Sequence, residues 1–276
     1  MIRIDSHQHF WKYDPSLHTW MTREMEVLKT DFGPADLAPL LEECQLQGSI
    51  AVQASQTEAE NMFLLDLAEN HPIIKGIVGW LDLQSKNVTE RLNYYSARKK
   101  IKGFRHVIHD EADIDFMLRP AFVNGISSLK QFGFTYDILI YPFHLPGTVK
   151  LVNQFPDQLF VINHIAKPEI SKKEIILWKK LMTPVASFPN VYCKISGMVT
   201  EAKWHRWAQD DFIPYLDTIV NLFGTERVLY GSDWPVCTLS ASYRETYNIV
   251  KKYFDSFSHG EQDNFFGMNA QRFYRL

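Results

Sequence analysis

Near its start the chain reads Ile2-Arg3-Ile4-Asp5-Ser6-His7-Gln8-His9, a β-patterned run that ends in two histidines one residue apart. Alternate side chains of a strand share one face, so His7 and His9 are expected to point the same way. Far downstream, Arg227-Val228-Leu229-Tyr230-Gly231-Ser232-Asp233-Trp234-Pro235 repeats this design, with an apolar run that ends on a single carboxylate. We predict that both strand ends meet at one rim of a barrel.

Short apolar runs rich in β-forming residues recur along the whole chain, at 3–9, 49–54, 75–83, 103–108, 135–140, 160–166, 191–197 and 228–233. Helical patterns separate them; Leu37, Leu40, Leu41 and Cys44, for example, repeat at i, i+3, i+4 and i+7. Regular alternation of strand and helix implies parallel strands, and eight such units close into a TIM-like (β/α)8 barrel. We therefore predict an α/β fold with a single domain over 1–276, and an open doubly wound sheet is the alternative.

In such a barrel the carboxyl ends of all strands lie on one face, where active sites are found. Polar residues gather at or near these ends: His7, His9, Arg105, His106, Asp137, His164, Lys194, Ser196 and Asp233. The connection 10–35 is longer than usual and rich in aromatic residues. It is expected either to fold over the pocket as a lid or to cover the outer edge of the barrel.

The bulk composition excludes several classes of partner. A formal net charge of -3 gives no broad basic field for nucleic acid or anionic lipid. The chain has no uncharged run of the roughly 20 residues that a membrane helix needs. The three cysteines are odd in number and widely separated, which indicates a reducing compartment. With no secretion signal at the N-terminus, we predict a cytoplasmic protein that binds neither nucleic acid nor membrane.

Each chemical signal also has a structural interpretation. The His7 and His9 pair alone is a weak signal, and His164 in an apolar run is compatible with a hydrogen-bonded core histidine. Asp233 after a strand is compatible with a helix N-cap. Arg105, however, requires an anionic or oxygen-rich partner if it points into a barrel. The clustering of these residues at strand ends favours a functional site.

Taken together, the motifs resemble the amidohydrolase superfamily (amidohydrolase 2 type), and within it the branch of sugar-acid lactonases and pyrone-dicarboxylate lactone hydrolases. The sugar-acid enzymes of that branch include fuconolactonases and rhamnonolactonases. The resemblance covers the whole chain. It rests on the stretches 5–9, 103–107 with 110–111, 163–168, 191–197, 230–236 and 269–274.

The resemblance implies that His7, His9, His164 and Asp233 form the catalytic core, with Asp233 as the general base. The chain departs from two-metal members of the superfamily, because the fourth strand offers no lysine and the fifth offers no histidine. A single divalent ion such as Zn²⁺ on the three histidines and Asp233 is chemically reasonable. The sequence leaves open a metal-independent reaction.

The expected reaction is hydrolytic opening of a sugar lactone. The residues expected to bind the small-molecule substrate are Arg105, His106, Lys167, Lys194 and Trp234. A metal-dependent nonoxidative decarboxylase of the same superfamily and a non-catalytic sugar-acid binding protein are the alternatives. The sequence does not decide whether the barrels form a homo-oligomer.

Overall fold

The computed structural model describes residues 2–276 and consists of eight parallel strands in sequential order around a barrel. The strands are β1 (Ile4–Gln8), β2 (Gly48–Val52), β3 (Ile74–Gly79), β4 (Ile101–Val107), β5 (Thr135–Leu139), β6 (Phe160–Ile162), β7 (Val191–Ile195) and β8 (Val228–Tyr230). The first and last strands close the ring through backbone hydrogen bonds. Asp233 N donates to His7 O at 2.8 Å, and His9 N donates to Trp234 O at 2.7 Å. The single-domain (β/α)8 barrel is confirmed, and the alternative of an open sheet is wrong.

Helices follow the strands and cover the outside of the barrel. They are α1 (Pro34–Glu43), α2 (Glu58–Asn70), α3 (Val88–Ser96), α4 (Pro120–Leu129), α5 (Leu145–Val152), α6 (Ile175–Ala186), α7 (Met198–Glu201), α8 (Ile213–Phe223), α9 (Tyr243–Phe254), α10 (His259–Asp263) and α11 (Asn269–Tyr274). The apolar face predicted for α1 packs against the barrel, since Leu37 and Leu41 are buried. A capping box begins α9, where Ser242 and Glu245 satisfy each other's backbone N–H groups.

The strands end earlier than the sequence predicted, and in β6 and β8 the reason lies at the site. β6 stops at Ile162 and β8 at Tyr230, because the backbone then turns into the left-handed region at His164 and Asp233, with φ of 53° and 60°. Positive φ continues from His164 through Lys167. Non-glycine residues in this region are strained and persist only where the surrounding structure holds them. The strain thus lies at two of the predicted catalytic residues.

The apolar interior has three clusters, one of which consists of Trp11, Met21, Leu28 and Leu239. The larger core lies between the strands and the surrounding helices. A smaller cluster fills the barrel, and α11 adds Phe273 and Tyr274 to it. The three cysteines are buried and free, as expected without disulfides. Within residues 2–276, no helix is both long and apolar enough to span a bilayer.

Candidate active site

A cavity of about 570 Å³ lies above the carboxyl ends of the strands. The connection 10–35 contributes to its wall, and the other lining residues come from the loops that follow several strands. The aromatic residues of the wall are Trp11, Trp20, Tyr141 and Trp204; its charged or titratable residues are His9, Arg105, His109, Asp110, His164, Lys167, Glu201 and Asp233. The cavity therefore combines apolar faces with a few polar groups, as small-molecule sites do.

Three imidazoles converge on one carboxylate oxygen. The Nε2 atoms of His9, His164 and His7 lie 3.4, 3.6 and 3.8 Å from Oδ1 of Asp233. All four residues are buried. The structure thus brings together the four residues that the sequence predicted as the catalytic core. His7 and Asp233, the first and last of them, are 226 positions apart in the chain.

The orientation of His9 is fixed from behind. Its Nδ1 lies 2.8 Å from the carbonyl oxygen of Val52. Because a carbonyl only accepts, Nδ1 carries a proton, and this contact turns Nε2 toward Asp233. His164 is held through Nδ1, which lies 2.9 Å from Oγ of Ser196. Such partners orient imidazoles for metal binding or proton transfer.

His7 has a different environment. Its Nδ1 lies 3.3 Å from Nζ of Lys194, and its Nε2 lies 3.3 Å from a guanidinium nitrogen of Arg105. A neutral imidazole has one lone pair, so it accepts a hydrogen bond from only one of these cations at a time. Burial, followed by the nearby charge of Lys194, lowers the pKa of His7 well below its ordinary value. The neutral form is therefore favoured.

A sealed ion-pair network lies behind His7. Nζ of Lys194 lies 2.6 Å from Oδ2 of Asp137, and neither side chain is exposed to solvent. Asn163 donates to the same carboxylate at 2.9 Å, and the hydroxyl of Tyr274 donates to it at 3.0 Å. Burial lowers the pKa of Lys194, although Asp137 acts in the opposite direction. This network connects β5, β6 and β7 to the last helix.

Asp5 ties the first strand to the loop that carries Asp233. Its Oδ1 accepts hydrogen bonds from the backbone N–H groups of His7 at 3.1 Å and Ser232 at 2.9 Å. Its Oδ2 accepts from the hydroxyl of Tyr243 at 3.0 Å. Asp5 therefore positions the backbone of both segments that meet at the site, the one with His7 and the one with Asp233.

The electrostatics favour an ionised Asp233. Burial alone would raise the pKa of Asp233, but His164, His9 and Lys167 together lower it below its usual value. Burial lowers the pKa of His164 well below its usual value, although the charge of Asp233 acts in the opposite direction. A charged carboxylate among imidazoles is an arrangement suited to accepting a proton or binding a cation.

The residues expected to bind substrate fall into two groups. Arg105 and Lys167 line the cavity. His106 faces the outside of the barrel, because Arg105 occupies the inward position; its Nε2 pairs with Glu111 at 2.7 Å and its ring stacks on Phe116. The cavity wall thus contains no part of His106, so its expected substrate contact is corrected here.

Two further expectations of substrate contact require the same correction. Lys194 is fully buried behind His7 and is held by Asp137. Trp234 is 3% exposed and packs edge-on against Phe10 and Phe32 instead of lining the cavity. Both residues support the site from behind and do not face a ligand.

Several wall residues were not singled out from the sequence. Glu201 forms an ion pair with Lys167, whose Nζ lies 5.9 Å from the centre of the Tyr141 ring. Trp204 and Glu201 belong to the loop region after β7, for which strand periodicity gives no signal. A loop rich in aromatic and acidic residues after a polar strand end is the signal that was available.

The donor set fits one divalent ion. His7, His164 and Asp233 offer ligand atoms that all lie within 4.8 Å of one another, and His9 lies beside the same carboxylate. A tetrahedral zinc ion with bonds of about 2.0–2.1 Å holds its ligand atoms about 3.3–3.4 Å apart. The nitrogen-to-carboxylate distances of 3.4 to 3.8 Å are close to that edge length.

Comparison with known proteins places the chain in a family. The family profile described as Amidohydrolase matches residues 4–276. The chain is 36% identical to an L-fucono-1,5-lactonase of Burkholderia multivorans, over 100% of this chain and 96% of the relative. It is 33% identical to an L-fucono-1,5-lactonase of Burkholderia ambifaria, with the same coverage. A crystal structure of an amidohydrolase from Burkholderia multivorans with bound zinc is 36% identical, with a TM-score of 0.95 and 100% of both chains covered. The chain therefore belongs to the amidohydrolase family.

Proposed function

We propose that this protein hydrolyses a sugar-acid lactone, with Asp233 as the general base. The observation that carries the proposal is the convergence of three buried imidazoles on the carboxylate of Asp233 at the floor of an open cavity. The family and the two relatives named as lactonases support it.

Asp233 is suited to take a proton from water as the water attacks the lactone carbonyl. Its pKa is lowered, so the carboxylate is ionised at neutral pH despite its burial. A general base acts from about 3 Å and contributes roughly 10²- to 10⁴-fold to the rate. After ring opening, the same group returns the proton to the leaving ring oxygen.

The imidazoles stabilise the oxygen that becomes negative in the tetrahedral intermediate. His7, His9 and His164 are held from behind by Lys194, Val52 and Ser196, so they need little reorganisation during the reaction. The same imidazoles with Asp233 would hold a divalent ion, which when bound supplies Lewis-acid polarisation of the carbonyl.

The walls suit a hydroxylated ring. Trp11, Trp20 and Trp204 provide flat apolar faces, on which the C–H groups of a sugar can rest. Lys167 and Glu201 offer a donor and an acceptor side by side, which matches the two-way hydrogen bonding of hydroxyl groups. These features favour a polyhydroxylated substrate.

The test is Asp233→Asn, which keeps the shape and removes the base. We expect hydrolysis of L-fucono-1,5-lactone to fall by about 10²-fold or more, followed in a pH-stat with the spontaneous rate subtracted. Asp157→Asn is the matched control, since Asp157 forms an exposed ion pair with Lys130 and should leave the rate unchanged. Parental turnover in a folded Asp233→Asn variant would overturn the assignment.

Parallel assays distinguish the other activities that this fold could support. The parent enzyme is assayed on the lactone and on an aromatic carboxylic acid, before and after chelation. Carbon dioxide release from the acid without lactone turnover would indicate a decarboxylase. Ligand-induced stabilisation against melting without any turnover would indicate a binding protein. Lactone hydrolysis alone supports the proposal.

A further inference from the structure

We propose that Glu201 determines the charge class of the substrate: by neutralising Lys167, it restricts the cavity to lactones that carry no additional carboxylate. This inference rests on the proposed function and assigns a specificity-determining role to one residue of the same site. It extends to lactones in general and does not depend on which ring size is hydrolysed.

The Lys167 and Glu201 side chains form an ion pair on the cavity wall. Oε1 of Glu201 contacts Nζ of Lys167, and each side chain is 17% exposed. Burial alone would lower the pKa of Lys167, yet the charge of Glu201 raises it. The ammonium form of Lys167 is therefore favoured, and both side chains are accessible to a ligand in the cavity.

Lys167 is held at a defined position. Its backbone has φ of 50°, at the end of the left-handed run that begins at His164. The ring of Tyr141 lies 5.9 Å from its ammonium group. A lysine constrained at its backbone and bordered by an aromatic ring does not easily follow a ligand away from its partner, so its pairing with Glu201 sets the local charge.

The other cationic groups of the wall also have internal partners. Arg105 is 4% exposed and donates to the backbone carbonyl and side-chain oxygen of Gln53. His109 lies 2.9 Å from Asp110. No lysine or arginine other than Arg105 and Lys167 lines the cavity among residues 2–276. Arg105 has no carboxylate partner, but it is almost fully buried, so Lys167 is the most accessible lysine or arginine of the described wall.

A substrate carboxylate near Lys167 would also approach Glu201. The repulsion between the two carboxylates would disfavour binding, and partial exclusion of water from the cavity strengthens this repulsion. A neutral hydroxyl group, in contrast, accepts a hydrogen bond from the ammonium and donates one to the carboxylate. The pair thus accepts hydroxyl groups and disfavours anions.

The experiment compares Glu201→Gln with the parent on two lactones of the same ring size and configuration. L-galactono-1,4-lactone ends in a hydroxymethyl group, and the matching galactaro-1,4-lactone ends in a carboxylate. We expect the variant to raise the ratio of kcat/KM for the acidic lactone over the neutral lactone by about tenfold or more, the scale of a newly available charge-assisted contact. Glu169→Gln is the matched control, because Glu169 pairs with Lys172 on the surface.

The double variant Lys167→Met with Glu201→Gln separates charge from shape. It should lose the gain for the acidic lactone, because the cation that accepts the carboxylate is gone. An unchanged ratio in folded Glu201→Gln, or a gain that persists in the double variant, would overturn the inference. If Glu201→Gln does not fold, Lys167→Met alone provides the test, and it should lower the ratio because Glu201 is then uncompensated.

Failure of the proposed function has a different outcome. In that case the parent enzyme hydrolyses neither lactone, and the role of Glu201 is tested by ligand binding instead. Stabilisation against melting is then compared for galactarate and L-galactonate, which differ by one carboxylate. A stronger preference of Glu201→Gln than of the parent for galactarate supports the role of Glu201, and an equal preference contradicts it.

Discussion

The molecule contains two lysine–carboxylate pairs near the catalytic group, and they differ in their exposure to solvent. Lys194 and Asp137 lie inside the barrel with side chains that are 0% exposed, whereas Lys167 and Glu201 lie on the cavity wall and are each 17% exposed. Lys194 and Asp137, the inner pair, are surrounded by protein hydrogen-bond donors, including Tyr274. Lys167 and Glu201, the outer pair, face the cavity in which a ligand would bind.

This difference in exposure gives the two pairs different roles: the buried pair stabilises the fold, and the pair on the cavity wall selects the substrate. Burying two charges costs free energy that only good geometry and additional hydrogen bonds offset. The inner pair has both, and its lysine also contacts His7. The outer pair remains partly hydrated, so its removal costs little stability and changes what the wall recognises. We expect substitutions in the two pairs to have effects of different size and kind.

The largest effect is expected for Lys194→Met, which leaves the carboxylate of Asp137 buried without its cation. Breaking a buried pair typically costs about 3–5 kcal/mol in the free energy of unfolding. Urea unfolding followed by circular dichroism measures it. The variant should also lower lactonase activity, because His7 loses the group that contacts its Nδ1.

A double substitution tests whether the charge itself is responsible. Lys194→Met combined with Asp137→Leu removes both charges, and it should recover much of the lost stability, because apolar replacements of buried pairs are often neutral. If the double variant is as unstable as the sum of the single variants, the pair does not act as a unit.

An intermediate effect is expected for Tyr274→Phe. The hydroxyl of Tyr274 donates to Asp137 at 3.0 Å, and hydrogen bonds to charged groups contribute about 1.5–3 kcal/mol. The ring stays in place, so the loss reports the hydrogen bond alone. Urea unfolding again provides the measurement, and a change below the error of the extrapolation would show that the last helix does not support the inner pair.

The smallest change in stability is expected for Glu201→Gln. The pair is only partly buried, and glutamine keeps the shape of the side chain, so the unfolding midpoint should shift less than in Lys194→Met while the substrate preference changes. A loss of unfolding free energy as large as that of Lys194→Met would show that the outer pair also stabilises the fold, and the two pairs would then not differ in role.

The family resemblance singled out the four central residues from nine polar residues at or near strand ends. The barrel and the gathering of these polar residues were predicted because strand ends in a closed barrel must share one face. His7, His9 and Asp233 follow from this rule, and His164 does so even though β6 ends before it. The roles of individual neighbours were harder to predict. Strand alternation shows that Arg105 and His106 face opposite sides but not which one faces inward.

Depth within the barrel was also not predictable. Lys194 points inward, yet it lies one layer below the rim, and only the position of Asp137 on a neighbouring strand explains why it is buried. Glu201 ends the four-residue helix α7 and Trp204 lies in the loop after it, and no periodic pattern describes so short a segment. The chemical groups of a barrel rim are thus predictable from sequence, but the partners beneath and above them depend on the fold.

The junction between β1 and β8 has a consequence for how the enzyme gains its activity. The backbone bonds that join these strands come from His7, His9, Asp233 and Trp234, so ring closure and assembly of the reactive group are one event. A chain lacking its last strand and the residues after it would hold all three imidazoles without their carboxylate. Hydrolysis can therefore serve as a reporter of completed folding, for instance when the protein is divided into two fragments and turnover returns only on reassociation.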